Sequence, residues 1–251
     1  MKLLILSPDY SKRVNWGHQH LRDAILKKVP TSVQYGEKCA LHGSNDIPTI
    51  CKQVSTHIGY PDVILMENWK NMRRYTGASK VDCLKAFIVC DYYSDARRHF
   101  LYYNEVLNDL DVDLAICNTP DVLRNVRDQQ SRRYLPKKMR SIFISQAVDT
   151  DIFVPRALSN IYDVMAVFGL VRYIYPTREA VQKVINQMPG VKSLIGNWRT
   201  GIKHGKYAEA IARSKIFVNC NGINNQVLMK YFEVMACGTM LLTNMPRSCE
   251  K

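Results

Sequence analysis

The sequence predicts an α/β protein made of two doubly wound domains in series. Three observations carry this. The runs Leu3–Leu6 (LLIL), Val63–Met66 (VILM) and Ala86–Val89 (AFIV) are apolar at every position instead of alternating, as strands are when helices cover both faces of a parallel sheet. Amphipathic stretches of helical length separate them, the order expected of α/β folds. After the phrase Ala147–Pro155 the same alternation begins again.

Taken in order, a strand is expected at Lys2–Ser7 and a helix at Trp16–Val29, followed by a strand at Val33–Tyr35, a helix at Ile47–Gly59 and a strand at Val63–Glu67. Lys85–Cys90 reads as a strand, the stretch near Ser94–Asn108 as a helix, Asp113–Cys117 as a strand, Pro120–Gln130 as a helix and Ile142–Ile144 as a short strand. In the second half a strand at Tyr162–Phe168 ends at Gly169. A helix follows at Thr177–Met188, with Pro176 ahead of it and Pro189-Gly190 behind it as start and stop signals. Strands at Val191–Ile195, Lys215–Cys220 and Thr239–Thr243 alternate with helices at Lys206–Arg213 and Gln226–Cys237, the last closed by Gly238. The domains are expected to span residues 1–153 and 154–251, with a ligand cleft between them.

Composition narrows the function. At 251 residues, 47% hydrophobic and 23% charged, the chain is long enough and apolar enough to bury a core, and disorder is excluded. No apolar run reaches eighteen residues, so no membrane-spanning helix is expected. The start, MKLLILSPDY, is apolar only over Leu3–Leu6 and is broken by Pro8-Asp9, which reads as a buried strand and not a secretion signal. Eight cysteines, at positions 39, 51, 83, 90, 117, 220, 237 and 249, show no metal-ligand spacing. They are expected to be buried free thiols in a reducing compartment. A cytoplasmic protein follows, its charge compatible with peripheral attachment to the inner face of the membrane. Lys plus Arg number 35 against 22 Asp plus Glu, a net charge of +13. Such a surface favours anionic partners: nucleic acid, anionic lipid or phosphorylated small molecules.

Two motifs then stand in a particular order. Val148-Asp149-Thr150-Asp151-Ile152-Phe153-Val154-Pro155 precedes the second domain. Tyr231-Phe232-Glu233-Val234-Met235-Ala236-Cys237-Gly238 lies near the end of the chain, after a strand and a polar loop. Together they resemble the interdomain linker and the F-E-x-x-A-C-G signature of GT-B glycosyltransferases, closest to the CgeB-like (spore maturation protein) branch of the group 1 set. The resemblance is strong over the second half and covers the first half in outline. It implies two Rossmann-like domains, the first on the acceptor side and the second binding a nucleotide-diphosphate sugar, and it implies metal-independent sugar transfer with no cofactor beyond that co-substrate.

The resemblance also suggests site residues. Glu233 would accept hydrogen bonds from the ribose hydroxyls, a task for which a carboxylate has enough acceptor positions. The loop through Asn219–Asn225, with Gly222, Asn224 and Asn225, leads into the helix carrying Glu233, and the helix start suits phosphate. Lys230 stands where the CgeB-like branch has arginine, and Asn225 stands where retaining enzymes carry a second glutamate. Lys230 and Glu233 share a helix face and a direct pair between them is the competing reading. Arg172 and Arg178 are expected on the diphosphate. In the first domain Gly17 and His18, at the start of the first helix, resemble the loop facing the cleft, with Gly17 as a further nucleotide-sugar contact; Asp91 ends a strand as candidate general base or acceptor contact, and Arg97, Arg98 and His99 lie nearby. The spaced triplet Asp109, Asp111, Asp113 resembles a metal motif but precedes a strand of a fold type that does not use one, so no metal is assigned to it.

The chain stops soon after its last expected strand, whereas GT-B proteins continue with further helices. A second domain shortened in this way would expose apolar surface and is expected to aggregate or form a homodimer. The main expectation is a glycosyltransferase acting on an unidentified acceptor (glycan, protein, lipid or DNA). A non-catalytic relative that binds a nucleotide or polyanion is the alternative, and a DNA-modifying glycosyltransferase is a weaker one.

Overall fold

A computed structural model describes residues 1–7, 17–67, 72–90, 97–170, 175–196, 202, 204–222 and 226–246; the side chains of 17–20, 97–100 and 204 lie outside that description. The chain divides into two compact units, with the main division between Ser145 and Gln146.

The first unit is built on a parallel six-stranded sheet. Its strands are β1 (Leu3–Leu6), β2 (Ser32–Tyr35), β3 (Val63–Glu67), β4 (Leu84–Val89), β5 (Leu114–Cys117) and β6 (Arg140–Phe143), in the spatial order β2-β1-β3-β4-β5-β6. Helices α1 (Gly17–Lys28), α2 (Ile47–Ile58), α3 (Arg97–Asp109) and α4 (Pro120–Ser131) connect them. The apolar runs of the sequence are the central strands, and alternate residues of one strand enter different cores. Leu4 and Leu6 join the cluster of α2, α3 and α4, while Leu3 and Ile5 pack with Ile25 and Leu26 of α1. Continuous apolarity is what two covered faces require.

Two helix starts show why these segments begin where they do. Asp46 accepts a hydrogen bond from the Thr49 amide at 3.1 Å, ahead of Pro48 in the first turn of α2. Thr119 does the same for Val122 at 3.2 Å, with Pro120 as the first helical residue of α4. Each cap satisfies an amide that the helix itself leaves unpaired. Two short 3-10 turns, Met72–Arg74 and Ala78–Lys80, fill the crossover between β3 and β4.

The second unit carries a parallel four-stranded sheet of β7 (Tyr162–Val167), β8 (Ser193–Gly196), β9 (Ser214–Asn219) and β10 (Met240–Thr243), in the order β10-β9-β7-β8. Its helices are α5 (Arg178–Gln187), α6 (His204–Ala212) and α7 (Met229–Ala236). Helix α5 covers one face, where Val181 and Ile185 meet Ala166, Phe168 and Val218. Helices α6 and α7 cover the other, where Tyr207, Ile211 and Val234 meet Met165, Val167 and Phe217. Phe153, from the phrase before the second domain, is 3% exposed and packs edge-on against Tyr207 in this core.

Helix α7 begins at Met229, three residues later than its apolar pattern predicts, because Leu228 has extended backbone angles. It ends as expected. Gly238 takes φ +74°, its amide donates to the Met235 carbonyl at 3.0 Å, and the Thr239 amide donates to the Val234 carbonyl at 3.3 Å. This double closure is the Schellman motif, and its left-handed residue favours glycine. Among the described residues no helix is long and apolar enough to cross a membrane.

Candidate functional site

Both sheets reverse their direction of growth between their first and third strands: β1 and β3 in the first unit, β7 and β9 in the second. In open α/β sheets the ligand crevice lies outside the carboxyl ends of the strands at that point. Buried charged groups gather at both places.

In the second unit, Arg178 from the first turn of α5 reaches across the crevice floor. Its Nε donates to the Cys220 carbonyl at 3.0 Å and its Nη1 to the Gly169 carbonyl at 2.9 Å, joining the chain just beyond β9 to the chain just beyond β7. Its guanidinium lies 3.3 Å from the centre of the Tyr175 ring and 4.9 Å from that of Phe168. One turn later, the Gln182 Nε2 donates to the Ala166 carbonyl at 2.9 Å and to the Gly196 carbonyl at 2.8 Å. The structure places Arg178, expected on the diphosphate, against main-chain carbonyls. The side chain is 3% exposed and donates to main-chain carbonyls, so it braces the crevice.

Across the sheet, Glu233 sits in the middle of α7 and is 9% exposed. Lys230, one turn earlier, donates from Nζ to the Tyr207 hydroxyl at 2.7 Å, and its Nζ lies 4.7 Å from the Tyr207 ring centre and 5.9 Å from that of Phe217. Burial pushes the Lys230 ammonium below the ordinary lysine range, the nearby Glu233 carboxylate opposes that shift, and the Arg178 cation adds to it. Burial and the same carboxylate raise the Tyr207 hydroxyl well above the usual tyrosine range. Thus Lys230 and Glu233 share one buried neighbourhood, and the ammonium is held by tyrosine.

The segment 220–222 between β9 and α7 is held from below. The Asn221 amide donates to the Asn244 Oδ1 at 2.9 Å, the Asn221 Nδ2 donates to the Asn244 carbonyl at 3.0 Å, and the Tyr231 hydroxyl bonds Asn221 and Thr243. A cavity of about 480 Å³ opens here, lined by Thr177, Val181, Asn219, Gly222 and Leu242 among others. Leu228, at the N-cap of α7, makes no side-chain cap. In the first turn of that helix the Tyr231 amide donates to the Leu228 carbonyl at 3.0 Å, and no side chain caps the helix start among the described residues.

In the first unit the Arg22 guanidinium, fully buried, bonds the Ser7 hydroxyl and stands 3.5 Å (Nε to Oε1) from Glu67. The Ser7 hydroxyl donates to the Glu67 Oε2 at 2.9 Å. The triad ties α1 to the ends of β1 and β3. Gly17 is the first residue of α1.

Of the residues singled out in the sequence, Glu233, Lys230, Gly222 and Arg178 are brought together at the carboxyl end of the second sheet. Asp91, Arg172, Asn224 and Asn225 lie outside the described residues, as do the side chains of His18, Arg97, Arg98 and His99. Asp111 and Asp113 are committed to lysines: Lys138 approaches Asp111 to 2.8 Å, and Lys85 lies 3.3 Å from Asp113 and 3.6 Å from Asp111. Sequence reasoning gave no role of their own to Tyr207, Tyr231 and Asn219 and missed the Ser7–Arg22–Glu67 triad. The charged end of the otherwise apolar run VILME was the one available signal for the triad.

Residues 176–251, which hold α5 through β10, match the family described as glycosyl transferase-like. In structure the chain is similar to Anabaena HepE, crystallised in complex with UDP and glucose, with a TM-score of 0.64 at 11% identity, covering 97% of this chain and 80% of that one. It is similar also to sucrose-phosphate synthase from Thermosynechococcus elongatus, with a TM-score of 0.61 at 11% identity, covering 96% of this chain and 80% of that one. No curated protein matches the sequence. The fold is thus α/β with two parallel, Rossmann-like sheets, the architecture of GT-B glycosyltransferases.

Proposed function

We propose that this protein is a glycosyltransferase that moves a sugar from a nucleotide-diphosphate sugar to an acceptor, with the donor held by the second unit. The observation that carries the reading is the site around α7. A buried carboxylate, Glu233, stands one turn behind a half-buried lysine, Lys230, at an uncapped helix start beyond the carboxyl end of β9. Support comes from the glycosyl transferase-like match of residues 176–251 and from structural similarity to a protein crystallised with UDP and glucose.

In this reading Glu233 accepts the two ribose hydroxyls, and the start of α7 with Lys230 takes the diphosphate. Arg178 positions the segment after β9 on which they depend. Positive charge then stands where the departing diphosphate gains negative charge, and that stabilisation is the main catalytic contribution. We read the transfer as metal-independent on the same ground, with Arg172 as a further cation. Asp91 remains the proposed base or acceptor contact, and the CgeB-like branch the proposed position within the family, on their sequence motifs.

The test is thermal stabilisation by UDP, GDP, ADP, TDP and CMP in wild type and in Glu233→Ala. A ligand at a hundred times its dissociation constant adds about 2.7 kcal/mol of stability. Stabilisation by one nucleotide, lost in Glu233→Ala, is the expected result and identifies the base. A folded sample that responds to none of them overturns the reading. Asn225, in place of the second glutamate of retaining enzymes, favours one alternative, a relative that binds without transferring. Stabilisation without release of sugar from the matching nucleotide sugar would select it.

A further inference from the structure

Asn219 is the last residue of β9 and is 2% exposed, yet among the described residues neither its Oδ1 nor its Nδ2 has a hydrogen-bond partner. Its neighbours differ. The Gln182 amide bonds two carbonyls, and Asn221 is bonded to Asn244 from both its main chain and its side chain. A buried amide unpaired at both ends costs stability, and native structures keep such a group where another requirement holds it.

Its position indicates the requirement. Side chains alternate along β9: Phe217 packs with Tyr207 and Val234 on the α6 and α7 face, and Val218 packs on the α5 face. Asn219 therefore returns to the α7 face. Lys230 Nζ lies 5.9 Å from the Phe217 ring centre. Asn219 is the next residue of that face toward the carboxyl end and leads into the segment 220–222; it is also among the residues around the cavity of about 480 Å³, with Thr177, Val181 and Val218 of the α5 side.

We propose that Asn219 is a ligand-reading residue of the donor site. Its amide engages a neutral group of the bound nucleotide sugar that both donates and accepts a hydrogen bond, either a sugar hydroxyl or the polar edge of the base. The inference rests on the donor-site reading above. A phosphate oxygen only accepts, so it would pair Nδ2 and leave Oδ1 as it is; Lys230 and the helix start already suit the phosphates. An ordered buried water is the competing partner, and it makes a different prediction.

The experiment compares wild type, Asn219→Leu, Asn219→Asp and Glu233→Ala, by melting temperature and by titration calorimetry. The probes are UDP, GDP, ADP and TDP and their glucose conjugates. Leucine keeps the number and branching of the asparagine side-chain atoms and removes the unpaired polar ones. Asn219→Leu is expected to melt at the wild-type temperature or a few degrees above it, and to bind on the order of tenfold more weakly, the loss of one good polar contact. A loss seen with the diphosphate alone assigns the contact to the nucleoside, and a loss confined to the glucose conjugate assigns it to the sugar. Asn219→Asp keeps the shape without the donor, and it should bind weakly too, which covers the case of a leucine variant that does not fold. Wild-type affinity in either folded variant overturns the proposal. If Glu233→Ala loses binding while the Asn219 variants keep it, this inference alone fails. If wild type binds none of the probes, the donor-site reading fails and this inference with it.

Discussion

Lys230 is subject to opposing influences. Burial disfavours its charge, while the Glu233 carboxylate and the Tyr207 hydroxyl that accepts its hydrogen bond favour it. The result is an ammonium with a pKa below the ordinary lysine range. A bound diphosphate would raise it again, because an anion nearby favours the protonated form. Linkage then fixes the sign: affinity is greatest below the lowered pKa of the ligand-free protein and falls as pH rises from there to the raised pKa of the complex. Calorimetric titration with the nucleotide that stabilises wild type, from neutral pH upward, should show this fall. Lys230→Arg should lack it, since a guanidinium does not deprotonate in this range. A fall of equal size in both proteins would place the titrating group elsewhere.

Helix α1 shows how an element is held at a crevice. Its Arg22 is fully buried and meets Ser7 at the end of β1 and Glu67 at the end of β3. Removing one member of a buried pair leaves an unpaired charge, a loss of about 3–5 kcal/mol, whereas replacing both with well-packed apolar residues is often neutral. Arg22→Ala is therefore expected to lower stability by that order in urea unfolding. Arg22→Met combined with Glu67→Leu should recover most of it. If the double variant is no more stable than Arg22→Ala, the triad acts through more than charge pairing. Helix α7 is held differently, by the left-handed Gly238 closure at its end and by Tyr231 bonding the segments that flank it.

The whole molecule consists of two units, each with its own cores on the two faces of its own sheet. The proposed donor-site residues Lys230 and Glu233 and the braces Arg178 and Gln182 all belong to the second. Stabilisation by a bound nucleotide is local to the contacts it makes. Hydrogen exchange with the nucleotide that stabilises wild type is thus expected to slow in α5, α7 and the end of β9, with β1 through β5 unchanged. Equal protection of both sheets would show that the nucleotide does not bind through the second unit alone. The net charge of +13 acts at this scale as well, drawing anionic ligands toward the protein at low ionic strength.

Much of this was readable in one dimension. Fully apolar runs identified the parallel strands, Pro176 and Gly238 marked helix ends, and the residues around Glu233 marked the candidate site. These signals are local: strand burial, backbone conformation and helix periodicity act over a few neighbouring residues. The start of α7 moved to Met229, the capping roles of Asp46 and Thr119 emerged, and Arg178 bonded main-chain carbonyls beyond β7 and β9. Asn219 became a buried amide without a partner among the described residues, and Arg22 met Glu67 and Ser7. Each of these depends on which strands are neighbours in the sheet or which face a side chain takes. Arg178 could be assigned to carbonyls only once β7 and β9 were adjacent, and Glu67 to Arg22 only once α1 lay against β1 and β3. Pairing across such distances in the chain is decided by tertiary packing, because the competing choices have the same residue types and differ only in what lies beside them.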